Sequence, residues 1–174
     1  MIIVLAVSAY KYINKERYDT EIIYAGDFYY TSEYEEAIDS LALLGIDADG
    51  DGEKRLKLDQ FCYSGTVSYE YKMTMTVTLQ NIIGSGKAKI IWLDEERLSL
   101  IAEDMKDYIV PVKEWAPEAT TEDGYSVSLK DSRELNLRGI PSDGVYMVLV
   151  RPDKKESGDY QNVKQIASAL TEQN

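Results

Sequence analysis

Short runs of strand type alternate along this chain with stretches of helical spacing, and that alternation constrains the fold more than any other feature. Glu21-Ile-Ile-Tyr-Ala25 and Lys89-Ile-Ile-Trp-Leu93 are compact apolar runs, and Leu56–Cys62 alternates apolar and polar residues. Tyr125–Leu129 and Val145–Val150 follow, each after an Asp-Gly pair that supplies turn chemistry. Strand patterns interleaved with helical ones mean a layer of strands covered by helices. The expected fold is α/β: a single domain with a mostly parallel central sheet flanked by helices. At 174 residues and 44% apolar content the chain can bury one real core.

Between these runs the helices announce their ends. Ser32 with Glu35 three residues on reads as a capping box, and Tyr34, Ile38, Leu41 and Leu44 recur on one face up to Gly45. Asp94 is placed to cap a helix carrying Leu98, Ile101 and Ala102, with Glu95 and Glu96 favourable in its first turn. The last helix sets Tyr160, Val163, Ala167 and Leu170 on one side. Segment 66–83 fits two patterns. Alternation from Val67 to Leu79 is a strand signal, while Tyr71, Met75, Leu79 and Ile82 form a helical face. A thirteen-residue strand would run ~44 Å against a usual ~17–20 Å, and parallel strands need a crossover, so helix is the choice. Its β-branched residues keep the strand in play. Glu114–Asp123 reads as an exposed acidic loop.

Charge and composition remove several function classes. Nineteen Lys+Arg against 31 Asp+Glu leave −12, with no basic cluster to displace counterions, so no nucleic-acid partner is expected. The chain has no histidine and a single cysteine, Cys62. Ser-His and Cys-His nucleophiles, His-ligated metals and an intramolecular disulfide are therefore outside its chemistry. Cys62 reads most simply as a buried thiol, and adjacent acids such as Glu35/Glu36 or Glu95/Glu96 point apart on a helix.

Met1–Tyr10 is apolar except for Ser8, and charge arrives with Lys11, Lys15, Glu16, Arg17 and Asp19. Ten residues fall short of the ~20 that span a bilayer as a helix, and no basic residues precede them as in a secretory signal. The run is either the end of a membrane anchor or a buried element of the domain. The Lys- and Tyr-rich stretch after it resembles a juxtamembrane spacer and favours the anchor. The domain plan is thus 1–19 as hydrophobic anchor remnant and spacer, and 20–174 as the globular α/β domain.

Two motifs could hold a ligand. Asp47-x-Asp49-x-Asp51-Gly52 reproduces positions 1, 3, 5 and 6 of an EF-hand-type loop, with the Glu53 carbonyl at position 7. Calcium is the cofactor this suggests, weakly held, because Leu58 stands where the closing bidentate Glu belongs and Lys54 occupies an apolar position. A polar Asp/Gly turn is built from the same residues equally well. The second motif follows the first strand. Ligands of open α/β sheets sit beyond the carboxyl ends of strands, which makes Tyr24, Asp27, Phe28, Tyr29 and Tyr30 candidate binding residues. Ser126, Ser128 and Asp131 are placed near the same edge, and the alternative is Tyr rings simply packed over it. Gly84-Ser-Gly86-Lys87 lacks the spacing of a phosphate loop and reads as a turn.

Ile22-Ile-Tyr-Ala-Gly-Asp27, Leu44-Gly-Ile-Asp-Ala-Asp-Gly-Asp-Gly52, Ile90-Ile-Trp-Leu-Asp94, Asp123–Leu129 with Asp131-Ser132, and Val145–Pro152 follow one another over about 130 residues. In that order the chain resembles an uncharacterised group of bacterial membrane-anchored or lipoprotein-type domains, themselves similar to one lobe of extracytoplasmic solute-binding proteins. The resemblance implies a domain tethered by an N-terminal helix at the extracytoplasmic face of the cell membrane. The functional expectation is a non-enzymatic binding or interaction domain for a protein or small-molecule ligand. The alternative is a calcium-stabilised structural module of a cell-surface protein.

Overall fold

The computed structural model describes residues 18–65, 67–87, 89–153 and 158–173. Met1–Tyr10 and nearly all of the spacer lie outside the described residues. No helix among those described is long and apolar enough to cross a membrane.

Five strands form one open sheet: β1 (Thr20–Gly26), β2 (Leu56–Cys62), β3 (Lys89–Asp94), β4 (Ser126–Ser128) and β5 (Val145–Val150), in the order β2-β1-β3-β5-β4. β1 pairs in parallel with both β2 and β3, and β5 runs antiparallel to β3 and β4. Four strands therefore point one way and β5 is reversed between two of them. The α/β architecture expected from the sequence is the one observed.

The helices are α1 (Glu35–Asp39), α2 (Tyr69–Ile83), α3 (Glu95–Asp104), α4 (Arg133–Leu137) and α5 (Gly158–Leu170). The two-residue period of each strand divides the core. Ile22, Tyr24, Ile90, Trp92, Met147 and Leu149 face Leu41, Trp115 and the α5 residues Val163, Ile166 and Ala167. Ile23, Ala25, Ile91, Leu93, Val148 and Val150 face Leu79 and Ile83 of α2 and Ile101 of α3. Burial on both sides explains the near-continuous apolar runs of β1, β3 and β5. Each large side chain sequestered in this way contributes roughly 1.5–3 kcal/mol.

Segment 66–83 resolves as the helix α2, starting at Tyr69. The Ser68 hydroxyl accepts from the Tyr71 N–H at 3.2 Å. Thr74, Thr76 and Thr78 donate their hydroxyls to carbonyls four residues back, at 2.8–2.9 Å. The threonines that mimic a strand in sequence are thus accommodated by back-bonding along the helix.

Four local expectations differ from what the structure shows. Ser32 caps nothing: Ser32–Tyr34 is a 3-10 turn whose flanking residue Thr31 makes no side-chain cap bond, and α1 begins at Glu35. The helical face 34–44 is split into α1 and a second 3-10 turn, Ser40–Leu44, which buries Leu41 and Ala42. Glu114–Asp123 is not an exposed loop throughout, since Trp115 and Ala116 are buried in the core and the Trp115 indole donates to the Val110 carbonyl. Cys62 is half-buried instead of fully enclosed.

Gly45 ends the second 3-10 turn at φ −95°, so it is not there for a left-handed conformation. Space requires it: a Cβ would meet Asn162 Oδ1 at 2.2 Å. That Asn162 is buried in α5, accepts from the Ile46 N–H at 2.7 Å and donates to Thr20 Oγ1 at 2.8 Å. One amide therefore joins the last helix to the first strand.

Candidate functional site

From β1 the chain turns outward to β2, and from β3 it moves to the other side of the sheet. The carboxyl ends of β1 and β3 thus flank the point where an open α/β sheet forms a crevice. Asp94 ends β3 and caps α3, its Oδ1 accepting from the Arg97 N–H at 2.9 Å, as the sequence indicated. Its Oδ2 accepts from the Asp27 N–H at 3.0 Å and from Arg97 Nη1 at 2.9 Å. The Arg97 guanidinium, only 6% exposed as a residue, also reaches Asp27 Oδ1 at 3.2 Å and Glu96 Oε2 at 2.9 Å. It stacks over the Tyr63 ring at 4.5 Å. The crevice between β1 and β3 is therefore filled by the protein's own cation, with its carboxylates bound to it. Beside it, Cys62 Sγ lies 3.1 Å from Ser64 Oγ, which is not a base that could draw off the thiol proton.

Five rings hold the segment after β1. Tyr30 meets Tyr24 at 5.1 Å, Phe28 at 4.9 Å and Tyr34 at 6.0 Å, all edge-to-face, and Trp92 at 6.0 Å. Such pairs add ~0.5–1.5 kcal/mol each beyond area burial. The Tyr24 hydroxyl accepts from the Phe28 N–H at 3.0 Å, and burial pushes its pKa up to about 12. The Tyr30 hydroxyl, raised further by burial, donates to the Pro141 carbonyl at 2.8 Å. Of the five candidate binding residues, Tyr24 and Tyr30 are thus core pillars, while Asp27, Phe28 and Tyr29 reach the surface.

Tyr29 and Tyr30 open onto a groove of about 700 Å³ beside β2. Tyr18, Ile38 and Leu58 line it with them, and Glu35 and Asp39 of α1 stand over it. Its cations are engaged. Arg55 pairs with Asp51 at 2.6 Å and with Glu53, Lys57 pairs with Asp59 at 2.8 Å, and Lys54 donates to the Gly45 carbonyl at 2.6 Å. Neither Glu35 nor Asp39 has a basic partner among the described residues. Burial, and then the Glu35 charge, raise the Asp39 pKa above its ordinary value.

The Asp-rich loop is a chain of side-chain-to-backbone bonds. Asp47 accepts from the Gly50 and Gly52 N–H groups at 2.7 and 2.8 Å, Asp49 from Asp51 at 3.1 Å, and Asp51 from Glu53 at 2.9 Å. The four metal-ligand candidates separate here: Asp51 and Glu53 turn to Arg55, while Asp47 and Asp49 bring oxygens within 4.8 Å of each other and of Asp19. Asp19 is the residue that spacing within the loop could not supply. It accepts from Ala48 at 2.7 Å and Arg55 at 2.8 Å, binding the start of β1 to the loop.

Ser126 and Ser128 lie on β4, the far edge strand. Register carries Ala25 through Leu93 and Tyr146 to Ser128, so the level along the sheet is shared. Two strands intervene between β4 and β1, which sets the serines ~14 Å from the Asp27 end. Ser126 Oγ donates to Asp123 at 2.9 Å. Sequence reasoning did not single out Arg97 or Gln60, and it read Glu35 only as a capping-box residue and a helix acid pointing away from Glu36. Arg97 alone had a usable signal, one basic residue immediately after an acidic helix start.

Compared with protein-family models, curated proteins and solved structures, the chain matches none.

Proposed function

We propose that this chain is a non-enzymatic binding domain, tethered at the extracytoplasmic face of a cell membrane through its N-terminal apolar run, and that its ligand occupies the groove beside β2. The observation that carries the binding reading is a concavity of about 700 Å³ walled by Tyr18, Tyr29 and Tyr30. That volume falls in the ordinary range of ligand sites, ~300–1,000 Å³. The segment presenting Tyr29 is held on both sides, by Tyr30 in the ring cluster and by Asp27 on Arg97. A pre-set wall spares a ligand the cost of ordering it. Tethering is supported by the composition of residues 1–19, with ten largely apolar positions followed by a charged, Tyr-dotted spacer.

The test is thermal melting of the full chain against a panel of sugars, amino acids and short peptides, repeated with Tyr29→Ala. A ligand-dependent rise that Tyr29→Ala abolishes, with the unliganded melt unchanged, is the expected result. A rise that survives places the site elsewhere, and turnover of any compound overturns the non-enzymatic reading. Tethering predicts that the chain partitions with membranes and is cleaved by protease added outside intact cells.

A second reading is calcium stabilisation of the Asp-rich loop, favoured by the approach of Asp19 to Asp47 and Asp49. At 10 mM calcium a site of Kd ~0.1 mM adds about 2.7 kcal/mol. A melting rise with calcium, absent with magnesium and lost in Asp49→Ala, supports it.

A further inference from the structure

Resting on the groove as the binding site, we propose that its occupant is an extended peptide segment of a protein partner. The segment adds to the free edge of β2 as a sixth strand and seats a lysine or arginine side chain against Glu35 and Asp39. Among the described residues β2 has a single neighbour, β1, and pairs with it over all seven residues without a bulge. It carries no proline, and the other edge strand, β4, is only three residues long. Edge strands are ordinarily protected by an unpaired lysine, a proline, a bulge or brevity. Lys57, the one lysine of β2, pairs with Asp59 at 2.8 Å on one face of the strand, which leaves the other face, with Leu56, Leu58 and Gln60, free of charge.

An added strand would send alternate side chains to opposite faces of the sheet. On one face they meet the groove, where Leu58, Ile38 and Tyr29 offer apolar and aromatic wall. Charge there is one-sided. Arg55, Lys54 and Lys57 are all committed within the protein, whereas Glu35 and Asp39 stand one helical turn apart with no basic partner among the described residues. Like charges at i,i+4 repel, and α1 is too short to dilute the cost. A basic side chain from the partner relieves the repulsion and supplies the missing countercharge. Main-chain bonding to β2 gives the affinity, and the carboxylates select what binds.

The test uses the full chain, immobilised, and a pooled library of end-blocked random heptapeptides, with bound peptides sequenced. Retained peptides should be enriched in Lys or Arg at one position and in β-branched residues at alternate ones. The best of them should bind about tenfold more weakly when that residue becomes Glu, the change that a 1.4 kcal/mol loss produces. In Glu35→Gln/Asp39→Asn, two conservative changes that remove a repulsion, the discrimination should vanish. Methylating alternate peptide amides should abolish binding, and peptide should slow hydrogen exchange at residues 56–62. Undiminished binding of the methylated peptide overturns strand addition, and an undiminished Lys preference in the double variant overturns the charge seat. If no peptide is enriched while a small ligand still gives a Tyr29-dependent melting shift, this inference fails and the binding reading stands. Absence of both overturns both.

Discussion

The side-chain amide of Gln60 closes a two-bond ring on the main chain of Tyr30, its Oε1 accepting from the Tyr30 N–H and its Nε2 donating to the Tyr30 carbonyl, each at 2.9 Å. A residue of the edge strand thereby acts as a fragment of strand for the segment that walls the groove. Gln60→Ala leaves two part-buried backbone groups unpaired and should cost about 1–3 kcal/mol in urea unfolding. Gln60→Glu keeps the acceptor but sets a carboxylate oxygen against the Tyr30 carbonyl, acceptor facing acceptor, so at pH 7 it should cost at least as much as Gln60→Ala. Equal stability of Gln60→Ala and the native chain would show that the ring contributes nothing.

Arg97 engages three carboxylates, those of Asp27, Asp94 and Glu96. Its partners differ in exposure: the Asp94 side chain is 21% exposed, those of Asp27 and Glu96 61% and 70%. Solvent softens the loss at the latter two, so Arg97→Met should fall at the low end of the ~3–5 kcal/mol for breaking a buried pair. In an Asp94→Asn background the same change should cost less, with a coupling of at least ~1 kcal/mol. A double-mutant cycle that closes to zero would remove Asp94 as the principal partner.

Asp39 should make the domain less stable as pH rises. Its folded pKa lies above the ordinary 3.8, chiefly through burial. Between the two values the unfolded chain has released its proton and the folded one has not, so stability declines with rising pH and the penalty is complete above the folded pKa. Asp39→Asn should therefore stabilise at pH 7 by about 0.2–0.5 kcal/mol, the scale of an i,i+4 like-charge pair, and change nothing near pH 2.5. Melting at the two pH values decides it.

Asp123 carries the opposite sign. Burial works against its charge, but the Tyr125 and Ser126 N–H groups and the Ser126 and Thr121 hydroxyls outweigh that and hold its pKa below 3.8. Its contribution is present above the unfolded value and is lost as pH falls through the folded one. Asp123→Asn should lower the melting temperature at pH 7, and the two curves should converge on acidification. Parallel curves down to pH 2 would remove the carboxylate from the account.

Gly26 admits no side chain. A Cβ there would lie 2.3 Å from the Tyr24 hydroxyl oxygen and 2.7 Å from the ring carbon that bears it. Tyr24 is fully buried and cannot retreat, so Gly26→Ala should cost about 1–3 kcal/mol as overpacking. Gly50→Ala has open space around its Cβ, so its cost should come only from the φ of +75°. Comparing the two variants by chemical denaturation separates the two causes.

Strand and helix identities were legible because they are written in periods of two and three to four residues, and a chain buries the stripe its period creates. β1, β3 and β5 were legible in another way, as short runs apolar almost throughout and buried on both faces of the sheet, and Asp94 by a cap that depends on a residue only three positions away. Ser32 shows the limit of local reading: its capping pattern is present, yet Ser32–Tyr34 is a 3-10 turn and the helix begins only at Glu35.

Residues 27–30 could be placed after the first strand from sequence alone. Which of their side chains face solvent was decided by Trp92 and Gln60, and Gln60 lies thirty positions from Tyr30. Asp19 joining Asp47 and Asp49, Arg97 filling the crevice, and the reversal of β5 between β3 and β4 are likewise properties of the assembled sheet. The sequence by itself determined the class of fold, the acidic surface and the chemistries that lack of histidine removes. The tertiary structure decided which carboxylates find a cation and which do not, because pairing depends on distance in space, and residues far apart in the chain become neighbours only when the sheet forms.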